Sequence, residues 1–186
     1  MPRVQPASGK DRLKELVLYV AQKCQDDPRY GAAKLAKLLF FIDFRAYAEL
    51  GNSITGARYH RIERGPAPTS LLPVRKQMEA DGEIKIRKVA TGGKHEQERV
   101  EALRDPDVSV FSEEQRALID AVIAQYRDMN GAQISAEAYK ELGVQLAGDK
   151  EEIPYGTVYL SSAAWTATEL QYAQRRMKER GWARPA

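Results

Sequence analysis

Residues 32–50 read AAKLAKLLFFIDFRAYAEL, and this stretch constrains the fold more than any other part of the chain. Leu35, Leu38, Leu39, Ile42 and Ala46 fall on one helical stripe, while Phe40, Phe41 and Phe44 cover much of the remaining circumference. A helix that is apolar on most sides has to run through the middle of a domain, with other elements packed around it. Asp43 and Arg45 interrupt it, so each must sit at the rim or be held by a partner. Gly51 is placed to stop it. With 186 residues, the chain is long enough to bury a core around such a helix.

The remaining elements arrange themselves around this helix. An earlier helix is predicted from residue 10 or 11 to 25, because Leu13, Leu16, Val17, Val20 and Cys24 repeat at helical spacing and Pro28 bars its extension. Cys24 lies on that apolar stripe and reads as a small buried hydrophobe. After the central helix come turn signals at Gly51, Asn52 and Gly56, a short strand around Tyr59 and Ile62, and a rigid bend at Gly65, Pro66 and Pro68. A third helix follows, with Ser70 as its expected N-cap, and it stops at Gly82. Residues 83–103 read as a hairpin with its turn at residues 91–94. Lys85, Arg87 and Lys88 oppose Glu96, Glu98 and Glu101, so cross-strand ion pairs are expected. Ser112 with Gln115 opens a fourth helix as a capping box, and Asn130-Gly131 is expected to end it. A short helix from 135 to 142 and a last helix from 166 to 180 complete the reading. The predicted fold is α+β and predominantly α-helical, with about six helices and a small antiparallel β element. The expected organisation is a flexible tail over 1–9, a domain over 10–155 and a helical extension packed on it over 156–186.

Composition excludes several classes. One cysteine rules out an internal disulfide framework and any multi-cysteine zinc site. The most apolar run, residues 38–42, is far shorter than the roughly 20 residues of a membrane span. The opening MPRVQPASGK has no apolar signal-peptide core, so a cytoplasmic protein without membrane contact is expected. The formal charge is +3, from 29 Lys and Arg against 26 Asp and Glu. Residues 166–186 account for all of it, leaving the first 165 residues neutral.

Catalysis has little support, and no catalytic residue, cofactor or metal is expected. His60 sits in the short strand, His95 at the hairpin tip, and no nucleophile motif accompanies either. A helix ending in Asp81-Gly82 followed by a hairpin has the outline of a winged helix, a DNA-binding alternative. Its electrostatics argue against nucleic acid: Glu96, Glu98 and Glu101 would repel phosphate, and the third helix offers only Arg75 and Lys76. The C-terminal segment is the stronger candidate. Tyr155, Tyr159, Trp165, Tyr172 and Trp182 interleave there with Arg175, Arg176, Arg180 and Arg184, the residue types enriched at protein interface hot spots.

The run Lys34-Leu35-Ala36-Lys37-Leu38-Leu39-Phe40-Phe41-Ile42-Asp43, then Ile54-Thr55-Gly56, Tyr59, Gly65-Pro66-Ala67-Pro68 and Gly82-Glu83-Ile84, resembles the Panacea domain family of SocA-like antitoxins. The match in order and spacing covers about residues 32–86 and extends more loosely to about 155. The resemblance implies a mostly helical, non-enzymatic antitoxin that neutralises a cognate protein toxin, encoded beside it, by direct binding. It leaves homo- or hetero-oligomeric assembly open. Asp43, Gly56, Tyr59, Gly65, Pro66, Pro68 and Gly82 are the motif positions, read as shaping the backbone. The family's Ser-His followed by Trp is absent, because Ser135 is followed by Ala136, so no role of that histidine carries over.

Overall fold

A computed structural model describes residues 9–90, 96–160 and 175. Six α-helices occur among them: α1 (Gly9–Lys23), α2 (Ala32–Leu50), α3 (Leu71–Ala80), α4 (Glu113–Gln125), α5 (Gly131–Ala138) and α6 (Leu142–Leu146). Four strands form two antiparallel two-stranded sheets: β1 (Tyr59–Ile62) with β2 (Gly65–Pro68), and β3 (Ile84–Ala90) with β4 (Glu96–Ala102). The architecture is helix-dominated α+β, as the sequence predicts.

Helix α2 is the axis of the molecule. It packs against α1, α4, α5, β2, β4 and a 3₁₀ turn at Tyr155–Tyr159. Leu35, Leu38, Leu39, Phe40, Ile42 and Ala46 are sealed from solvent. Each large side chain among them contributes about 1.5–3 kcal/mol by leaving water. Tyr59 meets Phe40 and Phe44 edge-on, those two rings are tilted against each other, and Phe41 stacks on Tyr126 of the turn after α4 with 4.4 Å between ring centroids. The expected stripe of α1 is buried throughout, and Leu18, Tyr19 and Ala21 are buried as well, so α1 is covered on more than one side. Gly51 closes α2, its N–H donating to Tyr47 O.

Four local expectations are corrected. Gly65, Pro66 and Pro68 form a strand rather than a bend, paired in register Tyr59↔Pro68 through Ile62↔Gly65. Proline is tolerated there because a strand in a two-stranded sheet needs no second row of N–H donors. Ser70 has helical dihedrals (φ −86°, ψ −4°) and its side chain caps nothing. Asn130-Gly131 starts a helix instead of ending one: Asn130 Oδ1 accepts from Ala132 and Gln133 N–H, and Gln133 returns the bond. The short helix predicted at 135–142 is therefore α5, displaced toward the N-terminus, and Gly143 lies inside α6.

The hairpin matches its prediction, with Arg87–Glu101 at 2.9 Å and Lys88–Glu96 at 3.6 Å across the strands. Its turn at 91–95 lies outside the described residues. Arg104, just past β4, ties the hairpin to α1 by reaching Glu15 at 2.6 Å and Glu83 at 2.7 Å. The capping box of α4 is formed by Ser112 and Gln115. Residues 150–153 lie beside β1: Ile153 N–H donates to Tyr59 O and Lys150 N–H to Arg61 O. The chain after α6 is thereby stitched back onto the motif region.

Candidate functional site

The motif residues converge on one carboxylate. Asp43 lies in the interior of α2, fully buried. Its Oδ1 accepts the backbone N–H groups of Ile54 and Thr55, both at 2.8 Å. Its Oδ2 accepts from the Thr55 hydroxyl and lies 2.8 Å from Tyr59 OH, which is also 2.9 Å from Leu39 O. Tyr155 OH donates to Ala57 O at 2.6 Å and stands 3.4 Å from the same Oδ2. Burial pushes the Asp43 carboxyl above its ordinary range, while Thr55, Tyr59 and Ile54 pull the other way by donating to the charged form. The carboxylate thus fastens the loop after α2, strand β1 and the 3₁₀ turn to one point of the central helix.

This sharpens the reading of the motif. Ile54 and Thr55 shape the backbone through their own N–H groups and hydroxyl, which grip Asp43, while Gly56 (φ +68°) supplies the left-handed turn. Gly65 (φ +89°) has a second duty. A Cβ there would lie 2.8 Å from Lys37 Cε, so glycine makes room for the lysine stem beneath the strand. Among the described residues Asp43 forms no ion pair; Arg45 sits at the rim, 2.7 Å from Glu49. The two expected fates of charge in α2 are divided between these residues.

Two buried lysines on α2 were not read from the sequence. Lys34 Nζ is 2.6 Å from Asp27 Oδ2 and donates to Arg127 O at 2.7 Å, a compensated pair. Lys37 is 1% exposed, and its Nζ has no hydrogen-bond or ion-pair partner among the described residues. Burial lowers its ammonium to about 8. Lysine usually reads as solvated, and only the helix's all-round apolarity signalled that positions 34 and 37 had nowhere to go.

The proposed partner-binding residues fall into two groups. Tyr155 is half-buried, stacked on Tyr47 at 5.4 Å and tilted against Phe44 at 4.7 Å, so it belongs to the packing around Asp43. Tyr159 is 65% exposed, with its ring 6.0 Å from Tyr47. One 3₁₀ turn carries both and runs across the expected boundary at 155–156. Arg175 is helical and exposed. Trp165, Tyr172, Arg176, Arg180 and Trp182 lie outside the described residues, as does His95. Cys24 is buried as expected, and burial raises its thiol to about 11, which suits a packing role. His60 is half-buried in β1, bridged to Glu152 through the backbone.

The winged-helix alternative loses a contact. Arg75 of α3 is 6% exposed and bound to Glu98 of the hairpin at 3.1 Å, so it faces inward rather than toward a phosphate. Among the described residues, no cluster of three or more His, Cys, Asp or Glu is arranged to hold a metal ion, and no helix is long and apolar enough to cross a membrane.

A helix-dominated α+β domain, knotted at a buried aspartate by an Ile-Thr-Gly loop and a tyrosine, is what this arrangement defines. The description "Antitoxin SocA-like, Panacea domain" matches residues 35–143, a span that holds most of α2 and all of the helices and strands from β1 to α5. The chain belongs to this antitoxin-like family. No curated protein and no solved structure matches it.

Proposed function

We propose that the chain is the antitoxin of a toxin–antitoxin pair, a non-enzymatic cytoplasmic protein that neutralises a cognate protein toxin by direct binding and occlusion of its active surface. The observation that carries this reading is the family match over residues 35–143. The toxin is the product of the neighbouring gene. The specificity surface is the extension over 156–186, which begins at the exposed Tyr159 and continues through Trp165, Tyr172, Arg175, Arg176, Arg180 and Trp182. The hydrogen-bonded knot around Asp43 has no role in toxin contact in this scheme, because its donors and acceptors are already spent on holding the fold.

Electrostatics support a protein partner. All of the formal charge lies in residues 166–186, and Arg with Trp and Tyr is the composition of interface anchors. The complementary toxin face would be acidic, with charge matching acting mainly on the association rate. Truncation after Ser162 keeps every described element except the position of Arg175. The truncated protein should fold, with an unfolding midpoint close to the parent, yet fail to rescue cells expressing the toxin. Full rescue by the truncated protein would refute the assignment of the C-terminal segment. Failure of the full-length chain to co-purify with or protect against the neighbouring gene product would refute the antitoxin reading itself.

A further inference from the structure

A second feature lies nearer the N-terminal end of α2 than the Asp43 knot. Between α2, the β1–β2 sheet and α3 is an open pocket of about 460 Å³, within the range of small-molecule sites. Its lining contains four nitrogen-bearing side chains, Lys37, His60, Arg64 and Arg75, and no carboxylate. The remaining wall is alanine, isoleucine, leucine and proline with a single threonine. Leu72 at the rim is 60% exposed, and Ile62 is 42% exposed.

Two of the nitrogens are unusual. Lys37 is 1% exposed and lacks any partner among the described residues. Arg75 donates through one terminal nitrogen to Glu98, but its Nε is buried without an acceptor. A buried cation with no counter-charge and a buried N–H with no acceptor each cost free energy that a hydrophobic side chain would not. Both side chains line this pocket, so an oxygen anion bound there would give each an acceptor. The fold also makes specific room for the lysine: Gly65 in left-handed conformation lets its stem pass beneath β2. Apolar walls above a cationic floor match a molecule with an apolar body and one anionic end.

From this geometry we infer that the pocket between α2, β2 and α3 binds a small carboxylic acid with an apolar stem, its carboxylate received by Lys37 and the Arg75 Nε–H and its stem lying along Ala36, Ala67 and Leu71. This site is separate from the proposed toxin surface and holds whether or not the chain neutralises a toxin. A carboxylate with an apolar stem is preferred over a phosphate because only Lys37 and Arg75 of the four nitrogen-bearing side chains are buried, His60 being half-buried and Arg64 exposed, and the rest of the wall matches a stem rather than further oxygens.

Octanoate is the probe. Titrated into the full chain at pH 7 and followed by calorimetry and by backbone amide shifts, it should bind, with the shifts centred on Ala36, Ala67 and Leu71. Octylamine, which keeps the stem and reverses the charge, should bind at least tenfold more weakly to the same unaltered protein. Lys37→Met should weaken octanoate at least tenfold. No octanoate binding, equal binding of octylamine, equal binding to the Lys37→Met protein, or shifts centred elsewhere would overturn the inference. Binding of an acetylated peptide ending in leucine carboxylate, without binding of octanoate, would overturn the assignment to a small molecule in favour of a chain terminus.

Discussion

Lys37→Met should make the protein more stable, by an amount that depends on pH. The lysine sits 1% exposed in α2, with no carboxylate or carbonyl among the described residues to receive its protons. Its ammonium is lowered from 10.5 to about 8 by burial. In the unfolded chain the group keeps its ordinary affinity for protons, so between pH 8 and 10.5 the unfolded state binds more protons than the folded one. Stability therefore rises with pH across that window, and below it the whole penalty is present. A shift of this size corresponds to about 3 kcal/mol at pH 7, shrinking to below about 1 kcal/mol at pH 10. Methionine fills nearly the same volume without the charge.

The assay is urea unfolding of both proteins at pH 7, 8, 9 and 10, without added carboxylic acids. Only the difference between the two proteins is informative. Cys24, raised to about 11, the buried Tyr30 and Tyr59 and the half-buried Tyr155 contribute opposite slopes at alkaline pH in both proteins. For these groups the folded state holds its protons longer, so stability falls as pH rises, and the shared slope cancels in the difference. A gain of about 3 kcal/mol at pH 7 that fades by pH 10 is expected. A constant difference, or a loss of stability at neutral pH, would mean that Lys37 is compensated or solvated, and the reasoning about its burial would fail.

Other perturbations probe the knot and the core. Asp43→Ala leaves the N–H groups of Ile54 and Thr55 buried without an acceptor and should cost at least about 3 kcal/mol in urea unfolding; a cost under about 1 kcal/mol would show that the loop is held by other means. Gly65→Ala combines a φ of +89° with a contact of 2.8 Å to Lys37 Cε and should cost about 1–3 kcal/mol. In a Lys37→Ala background the steric part disappears, so a double-mutant cycle should return a coupling of at least about 0.5 kcal/mol. Cys24 should resist a disulfide reagent at pH 8 while the protein is folded and react once urea unfolds it, since its thiol is raised and buried; rapid labelling of the native protein would contradict its placement in the core.

What could be read from the sequence follows the range of the interactions involved. Helices α1, α2 and α4 were legible because each declares itself within a few turns: a 3.6-residue stripe, an all-round apolar surface, a Ser112–Gln115 capping box. The Asn130–Gln133 box was equally local, but Asn-Gly also marks a turn, and choosing the stop signal reversed the boundary of α5. The Gly-Pro-Ala-Pro segment looked like a bend because proline is rare in strands; what makes it a strand is its pairing with β1 and the room it leaves above Lys37, neither of which is visible in four residues.

The motif residues were identifiable as a set, while their chemistry was not. Asp43 meets its donors 11, 12 and 16 positions away, through a loop whose course no periodicity describes. The spacing nevertheless has a physical logic. A carboxylate in the interior of the most apolar helix must be satisfied or it would unfold its surroundings. The least costly donors are backbone N–H groups delivered by the next turn of chain, with hydroxyls completing the set. Lys37 presents the opposite case on the same helix, since it is equally buried and receives nothing from the described chain. One helix thus carries three buried charges: Asp43, saturated by backbone and hydroxyl donors, Lys34, paired with Asp27, and Lys37, left open beneath a pocket. The two satisfied charges belong to folding. The open one, Lys37, is where the inferred carboxylate would be received.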